Sequence, residues 1–121
     1  MKPASNRFNA KDLWQKDHDH FLHPWTHFDS FKKEGSLLIV EGEGAHITDV
    51  NGKRYLDGLG GMWCVNVGYG RKEMAEAMAE QALLLPYANA FVDMSNAPAA
   101  ELAAKLAQLA PGSLNHVAFS T

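Results

Sequence analysis

The sequence has one cysteine among 121 residues, which excludes an internal disulfide framework and suits a reducing compartment. It also lacks an excess of positive charge, because the formal net charge is −3, so no basic surface for nucleic acid is indicated. No apolar run approaches the roughly 18 residues that a membrane-spanning helix needs, and no signal peptide is visible. These absences predict a cytoplasmic protein that binds neither nucleic acid nor membrane.

Complete motifs for metal and nucleotide sites are also lacking. Four histidines lie close to two aspartates near the N-terminus, and such side chains can bind zinc; they are His18, His20, His23 and His27, with Asp17 and Asp19. Pro24 and Trp25 interrupt this group, and neither HExxH nor a cysteine accompanies it. The run GLGGMW fails the GxGxxG pattern because residue 63 is tryptophan. We therefore expect neither a metal site nor a phosphate-binding loop of these types.

Hydrophobic periodicity and turn residues predict one helix, then a small sheet, then two further helices and a strand. Asn51-Gly52 is a strong hairpin signal, and it centres a three-stranded antiparallel meander. Asn96 is the expected N-cap of the last helix. The predicted elements are a helix at 11–20, an ordered loop at 20–35, strands at 37–41, 45–50 and 53–58, helices at 70–85 and 99–109, and a strand at 116–121.

The final run, HVAFST, reads as a buried strand that has just begun after the break at Pro111-Gly112. A strand needs a hydrogen-bonded neighbour, and the sequence contains no obvious partner for it. We therefore expect these residues to be the front part of a larger protein.

The most unusual feature is Trp63, the largest type of side chain in the most glycine-rich part of the sequence. It is either a plug in a core or a wall of a binding site. Trp25, Tyr87 and Phe91 also lie in predicted loops, where binding residues are more frequent than in core elements. Core packing is the competing interpretation for all four aromatic residues. Asp57 could form an acid pair with Glu41 and Glu43, but these residues lie on different segments, so Asp57 is expected to be a solvated carboxylate.

Taken together, several runs resemble the N-terminal part of the class III (omega) aminotransferases, pyridoxal-phosphate (PLP) enzymes of fold type I with an α/β fold. These runs are LHPWTH, GEGAHITDVNGKRYLDGLGGMWCVNVGYGRKEMAEAMAEQ, LPYANAF and APGSLNHVAFST. The order of residues in GMWCVNVGYGR is similar to the branch that acts on omega-amino acids or amines with pyruvate. The resemblance covers nearly everything from residue 17 to 121.

The resemblance implies roles for the four loop aromatics. Trp63 would be a wall of the substrate pocket, carried there by the glycine-rich backbone. Trp25 would be a second pocket aromatic, and Tyr87 would lie at the mouth of the same region. Phe91 would reach into the active site of the other subunit, which implies a homodimer or a dimer of dimers.

The resemblance also implies which parts of the cofactor site are outside these residues. Ser120 and Thr121 would lie beside the Gly-Ser turn that binds the PLP phosphate. The lysine that carries the cofactor, the aspartate at its pyridine nitrogen and the arginine for the substrate carboxylate would all follow Thr121. We therefore expect no catalytic residue in this segment, and the remainder of the polypeptide becomes a necessary partner.

The implied activity is transfer of an amino group from an amine or omega-amino acid to pyruvate or a similar keto acid. Alternatives are a decarboxylase or aminomutase of the same fold, since fold does not fix the reaction, and a truncated non-catalytic paralogue that acts as an interaction module. The expected organisation is an N-terminal arm at 1–16, a small-domain segment with the meander at 17–62, and the start of the large PLP-binding domain at 63–121.

Overall fold

A computed structural model describes residues 7–120 as four helices and one sheet. The elements are α1 (Ala10–His20), α2 (Phe28–Glu34), β1 (Ile39–Glu43), β2 (His46–Asp49), β3 (Arg54–Leu56), α3 (Lys72–Leu84) and α4 (Ala97–Leu109). The chain forms two compact units, the first ending at Lys72 and the second starting at Glu73. Within the described part of the chain, no helix is long and apolar enough to cross a membrane. The assignment of domains at 1–16, 17–62 and 63–121 stays a prediction.

The first unit contains the predicted antiparallel meander, in the order β1-β2-β3. Gly42 pairs with Ile47 across the first two strands, and Thr48 pairs with Arg54 across the next two. The ladder is irregular between Ile39 and Glu41, where β1 contains a bulge. β1 lies two residues later than predicted, and β2 and β3 are shorter than predicted at both ends, but the meander itself is confirmed.

Asp49 fixes the hairpin between β2 and β3. Its side chain is only 4% exposed, and it accepts hydrogen bonds from the backbone N–H groups of Asn51 (2.9 Å) and Lys53 (2.8 Å) and from the Tyr55 hydroxyl (3.0 Å). Burial alone would raise the pKa of Asp49, but these hydrogen bonds outweigh it and lower the pKa. Val50, beside it, is the one buried apolar residue of residues 7–120.

The segment between α1 and the sheet differs from its prediction. A loop is expected over 20–35, but α2 occupies Phe28–Glu34. Pro24 restricts only the residue before it, and His27 then caps the new helix by accepting a hydrogen bond from the Ser30 N–H (3.4 Å). The loop prediction is therefore wrong for these seven residues.

The second unit contains the two predicted long helices. The structure confirms Asn96 as the N-cap of α4, since its side-chain oxygen accepts from the Ala99 N–H at 3.0 Å. The strand predicted at 116–121 is wrong for residues 116–120, which belong to no strand. A strand exists only through ladder hydrogen bonds, and β1, β2 and β3 pair only with one another. Thr121 lies outside the described residues.

Candidate functional site

Residues 60–63, in the loop after β3, all have positive φ angles and form a left-handed turn. The angles are 55° and 60° at Gly60 and Gly61, then 54° at Met62 and 70° at Trp63. Two hydrogen bonds close the turn: the Trp63 N–H donates to the Leu59 carbonyl at 3.0 Å, and the Val65 N–H donates to the Gly60 carbonyl at 2.9 Å. Left-handed backbone costs a non-glycine residue roughly 1–2 kcal/mol. Met62 and Trp63 are therefore held in strained backbone.

The carboxylate of Asp57 supports this turn from one side. It accepts hydrogen bonds from the backbone N–H groups of Leu59 (3.1 Å) and Gly61 (2.8 Å). A third hydrogen bond comes from the Tyr69 hydroxyl at 2.7 Å. The expectation that Asp57 is merely solvated is therefore wrong, because the carboxylate connects the left-handed turn to Tyr69.

The hydrogen bond between Asp57 and Tyr69 shifts both groups. It is the largest cause of the lowered pKa of Asp57, and the backbone N–H groups act in the same direction. The same bond, followed by desolvation, raises the pKa of Tyr69. Near neutral pH the pair is therefore an ionised carboxylate accepting from a neutral phenol, which is a charge-assisted hydrogen bond.

Tyr69 is anchored to the sheet through both its backbone and its ring. Its N–H donates to the Gly44 carbonyl at 2.8 Å, and its own carbonyl accepts from the Gly44 N–H at 3.1 Å. The ring lies on Gly42, where an added Cβ would come within 2.7 Å of two ring atoms. The end of β1 and the left-handed turn are thus connected through one side chain. An open groove of about 490 Å³ beside them is lined by residues that include Ile39, Ile47, Leu59, Met62 and Tyr69.

Trp63 is 75% exposed on the left-handed turn, so the structure does not use it as a core plug among the described residues. Trp25 is fully exposed with a φ of 60°, in the loop that joins α1 to α2. It lines an open cavity of about 550 Å³ with its neighbours between Leu22 and Phe28. The two tryptophans therefore lie in different loops of the first unit, and both have left-handed backbone.

The remaining predicted site residues lie in the second unit. Tyr87 and Phe91 are 78% and 77% exposed in the loop between α3 and α4, and the Phe91 N–H donates to the Asn89 side chain at 3.0 Å. Ser120 is exposed, and Thr121 is outside the described residues. Convergence of Trp25, Trp63, Tyr87 and Phe91 on one pocket stays a prediction.

The histidine-rich segment is held by local contacts. His23 bonds to the Asp17 carboxylate at 3.0 and 3.1 Å, and His18 stacks on Trp14 with a ring separation of 4.9 Å. The Ser36 hydroxyl also donates to Asp17. Between residues 7 and 120, no group of three or more histidine, cysteine or acidic side chains is arranged to hold a metal ion.

Sequence reasoning considered Asp57 as an acid-pair candidate and Tyr69 among the aromatic residues, but it assigned neither to the site. One local signal was present, since an aspartate directly before glycines is typical of turns in which the carboxylate accepts from the backbone two residues on. The contact from Tyr69, twelve residues later, is a tertiary contact. No spacing rule for helices, strands or turns predicts it.

Comparison with known proteins matches a family model described as aminotransferase class-III to residues 30–121. A putrescine–pyruvate aminotransferase of Pseudomonas aeruginosa is 41% identical over 114 residues, which is 93% of this chain and 25% of that protein. The crystal structure of an (S)-enantioselective omega-transaminase from Thermomicrobium roseum has a TM-score of 0.87 at 47% identity, over 90% of this chain and 24% of that chain. The chain thus spans about a quarter of the length of these relatives.

The omega-transaminase of Pseudomonas jessenii, solved in complex with PMP, has a TM-score of 0.81 at 33% identity, over 86% of this chain and 23% of that one. A thermostable variant of it, engineered for the synthesis of enantiopure bulky amines, has a tryptophan, a phenylalanine and an arginine replaced. It has a TM-score of 0.78 at 32% identity, over 82% and 22% of the two chains. The matched part of the fold is the N-terminal part of a fold type I transaminase.

Proposed function

Because the chain belongs to the class-III aminotransferase family, we propose that it is part of an enzyme that transfers an amino group from an amine or omega-amino acid to pyruvate or a similar keto acid. The observation that carries this proposal is the left-handed turn, which holds an exposed tryptophan in strained backbone. Strained backbone clusters at sites where a side chain must be presented for function.

The engineered relative supports the choice of substrate-facing residues. In its bulky-amine variant the replaced tryptophan and phenylalanine are 28 residues apart, which is also the separation of Trp63 and Phe91. We therefore assign both residues to the wall of the amine pocket. Trp25 and Tyr87, also exposed and in loops, complete the proposed apolar lining.

The proposed cofactor is PLP, which supplies an electron sink for amino-group chemistry when bound. Among the described residues, the exposed hydroxyl of Ser120 has the chemistry to donate a hydrogen bond to a phosphate. Thr121 is proposed to do the same. Trp63 and Phe91 would orient the amine and exclude water from it. We further propose that the enzyme is a cytoplasmic homodimer, or a dimer of dimers, with Phe91 at the subunit boundary.

The test is made in the complete protein with added PLP, an amine and pyruvate, with alanine as the measured product. Trp63→Ala should change the ratio of specificity constants for a bulky and a small amine by roughly 10- to 200-fold. Its cost in stability should be small. Within residues 7–120, about a quarter of its surface is buried, which is roughly 40–60 Å² and worth about 1–1.5 kcal/mol, against about 3–5 kcal/mol for a core tryptophan.

Trp14→Ala is the matched control, because Trp14 stacks on His18 in α1 and lies against Gly35, away from the left-handed turn. It should lower the melting temperature and leave the ratio unchanged. No alanine from any amine with wild-type protein would overturn the proposed function. An unchanged ratio in Trp63→Ala, together with a large fall in melting temperature, would show that Trp63 is a core residue instead.

A further inference from the structure

Trp63 cannot hold its position through local backbone preference, since left-handed backbone is unfavourable for it. We propose that Asp57 and Tyr69 together act as positioning residues that set where Trp63 stands and so which amines the pocket accepts. The specificity half of this proposal, that the position of Trp63 selects the amines, rests on the proposed function. The positioning half, that Asp57 and Tyr69 hold Trp63 in place, does not. Neither residue is proposed to touch substrate or cofactor.

The first step of the argument is the set of contacts that reach the turn. Gly61 is the second residue of the left-handed turn, and its N–H donates to the Asp57 carboxylate at 2.8 Å. The Leu59 N–H donates to the same carboxylate, and the Leu59 carbonyl accepts from the Trp63 N–H. A displacement of the carboxylate therefore shifts the backbone at Leu59 and Gly61, and the hydrogen bond from the Trp63 N–H to the Leu59 carbonyl transmits that shift to Trp63.

The second step is what fixes the carboxylate. Two local backbone N–H groups hold the Asp57 carboxylate, and a partner from outside its own segment restricts its orientation further. The Tyr69 hydroxyl provides that partner at 2.7 Å. Tyr69 is itself immobilised by its two backbone hydrogen bonds to Gly44 and by the close fit of its ring on Gly42. The hydroxyl thus connects the end of β1 to the left-handed turn.

The third step excludes a purely electrostatic role for the hydroxyl. The Gly61 Cα has little free space, since an added Cβ would come within 2.6 Å of the Val65 side chain and 3.1 Å of the Tyr69 hydroxyl. The hydroxyl therefore lies against the turn as well as on the carboxylate. Removing the Tyr69 hydroxyl leaves a gap beside Gly61, and the Asp57 carboxylate loses one hydrogen-bond donor. Both changes permit the turn to shift.

The chain contains a matched control for this pair. Tyr55 donates to Asp49 at 3.0 Å, which is the same chemistry, in the same unit. The carboxylate of Asp49 accepts only from residues 51–55 of the hairpin among the described residues, and none of these belongs to the left-handed turn. Tyr55→Phe therefore removes an equivalent hydrogen bond without touching the support of Trp63.

The experiment compares Tyr69→Phe with Tyr55→Phe in the complete protein. The specificity constants are measured for isopropylamine and for its bulkier analogue α-methylbenzylamine, with pyruvate as acceptor. Tyr69→Phe should change their ratio by roughly 10-fold, in the range seen when one apolar contact in a pocket is altered. Tyr55→Phe should leave the ratio within about twofold, well below that range, whatever it does to the melting temperature. Equal ratios in all three proteins would overturn the specificity half of the proposal.

A second readout does not depend on activity. The protein is labelled with fluorotryptophan, and the Trp63 fluorine signal is identified by its loss in Trp63→Phe. Tyr69→Phe should shift or broaden that signal, and Tyr55→Phe should not. An unmoved signal in Tyr69→Phe would overturn the positioning role. If wild-type protein converts no amine, the proposed function and the specificity half fail together, and the fluorine signal alone decides whether Asp57 and Tyr69 position Trp63.

Discussion

Replacing Met62 by glycine separates backbone strain from every other contribution of the left-handed turn. Met62 has a φ of 54° and is 65% exposed. Leu59 lies three residues earlier in the same loop, is 68% exposed and does not have a positive φ. Met62→Gly and Leu59→Gly therefore remove similar apolar side chains from similar surroundings. They differ in whether the residue replaced is in left-handed backbone.

The magnitudes follow from these exposures. About a third of each side chain is buried, and full burial of such a side chain is worth about 1.5–3 kcal/mol, so each change loses roughly 0.5–1 kcal/mol. Glycine also costs roughly 0.5–1 kcal/mol through the greater freedom of the unfolded chain. Leu59→Gly should therefore destabilise the protein by about 1–2 kcal/mol. Met62→Gly has the same losses, but it gains about 1–2 kcal/mol because the steric clash of left-handed backbone is relieved. The net change in the free energy of unfolding is therefore near zero.

The assay is equilibrium urea denaturation of wild type and both variants, followed by tryptophan fluorescence. The slope of free energy against urea should be the same in all three proteins, so that the midpoints report stability alone. The two variants should differ by about 1–2 kcal/mol. If Met62→Gly destabilises the protein as much as Leu59→Gly does, Met62 is not strained and the account of the turn given above is refuted.

Two further predictions concern the same region. Gly61→Ala should lower the melting temperature clearly more than Gly58→Ala, because a Cβ at Gly61 meets Val65 at 2.6 Å in left-handed backbone, whereas one at Gly58 meets nothing within 4 Å; equal effects would contradict this. The pKa of Asp57 lies below its ordinary 3.8, and the pKa of Tyr69 lies above its ordinary 10.0. The stability that this pair contributes is therefore lost at low pH, as the pH falls through the pKa of Asp57. It is also lost at high pH, as the pH rises through the pKa of Tyr69. Thermal melts across pH should show both losses, and Tyr69→Phe should reduce each of them.

The elements that depend on local pattern could be predicted from the sequence. The hairpin at Asn51-Gly52 and the N-cap at Asn96 each rest on a few adjacent residues, and both are present. α2 was missed because the aromatic residues and Pro24 in that segment indicate a loop, while the cap that starts the helix is a histidine, which is an unusual N-cap. The predicted strand at 116–121 failed for residues 116–120 because a strand also needs a neighbour.

Sequence reasoning singled out the exposed side chains of the candidate site but not the contacts that support them. Trp63 could be singled out because tryptophan is unexpected among glycines. Its left-handed backbone could not be predicted, since nothing local indicates a positive φ at Met62 or Trp63. The role of Asp57 depends on Tyr69, and that contact exists only once the sheet has brought Gly44 and Tyr69 together.

The choice of residues in the left-handed turn bears on what the turn is for. A chain that required only a tight exit from β3 would avoid the steric cost of left-handed backbone with glycine at all four positions. The sequence instead has Met62 and Trp63 there, with the indole mostly in the open. Strain of this kind persists only where the surrounding contacts enforce it, and the hydrogen bonds from Leu59, Gly61 and Tyr69 to Asp57 are contacts that do so. We infer that the turn presents the side chain of Trp63, so Trp63→Gly should relieve the steric cost of left-handed backbone while removing the indole.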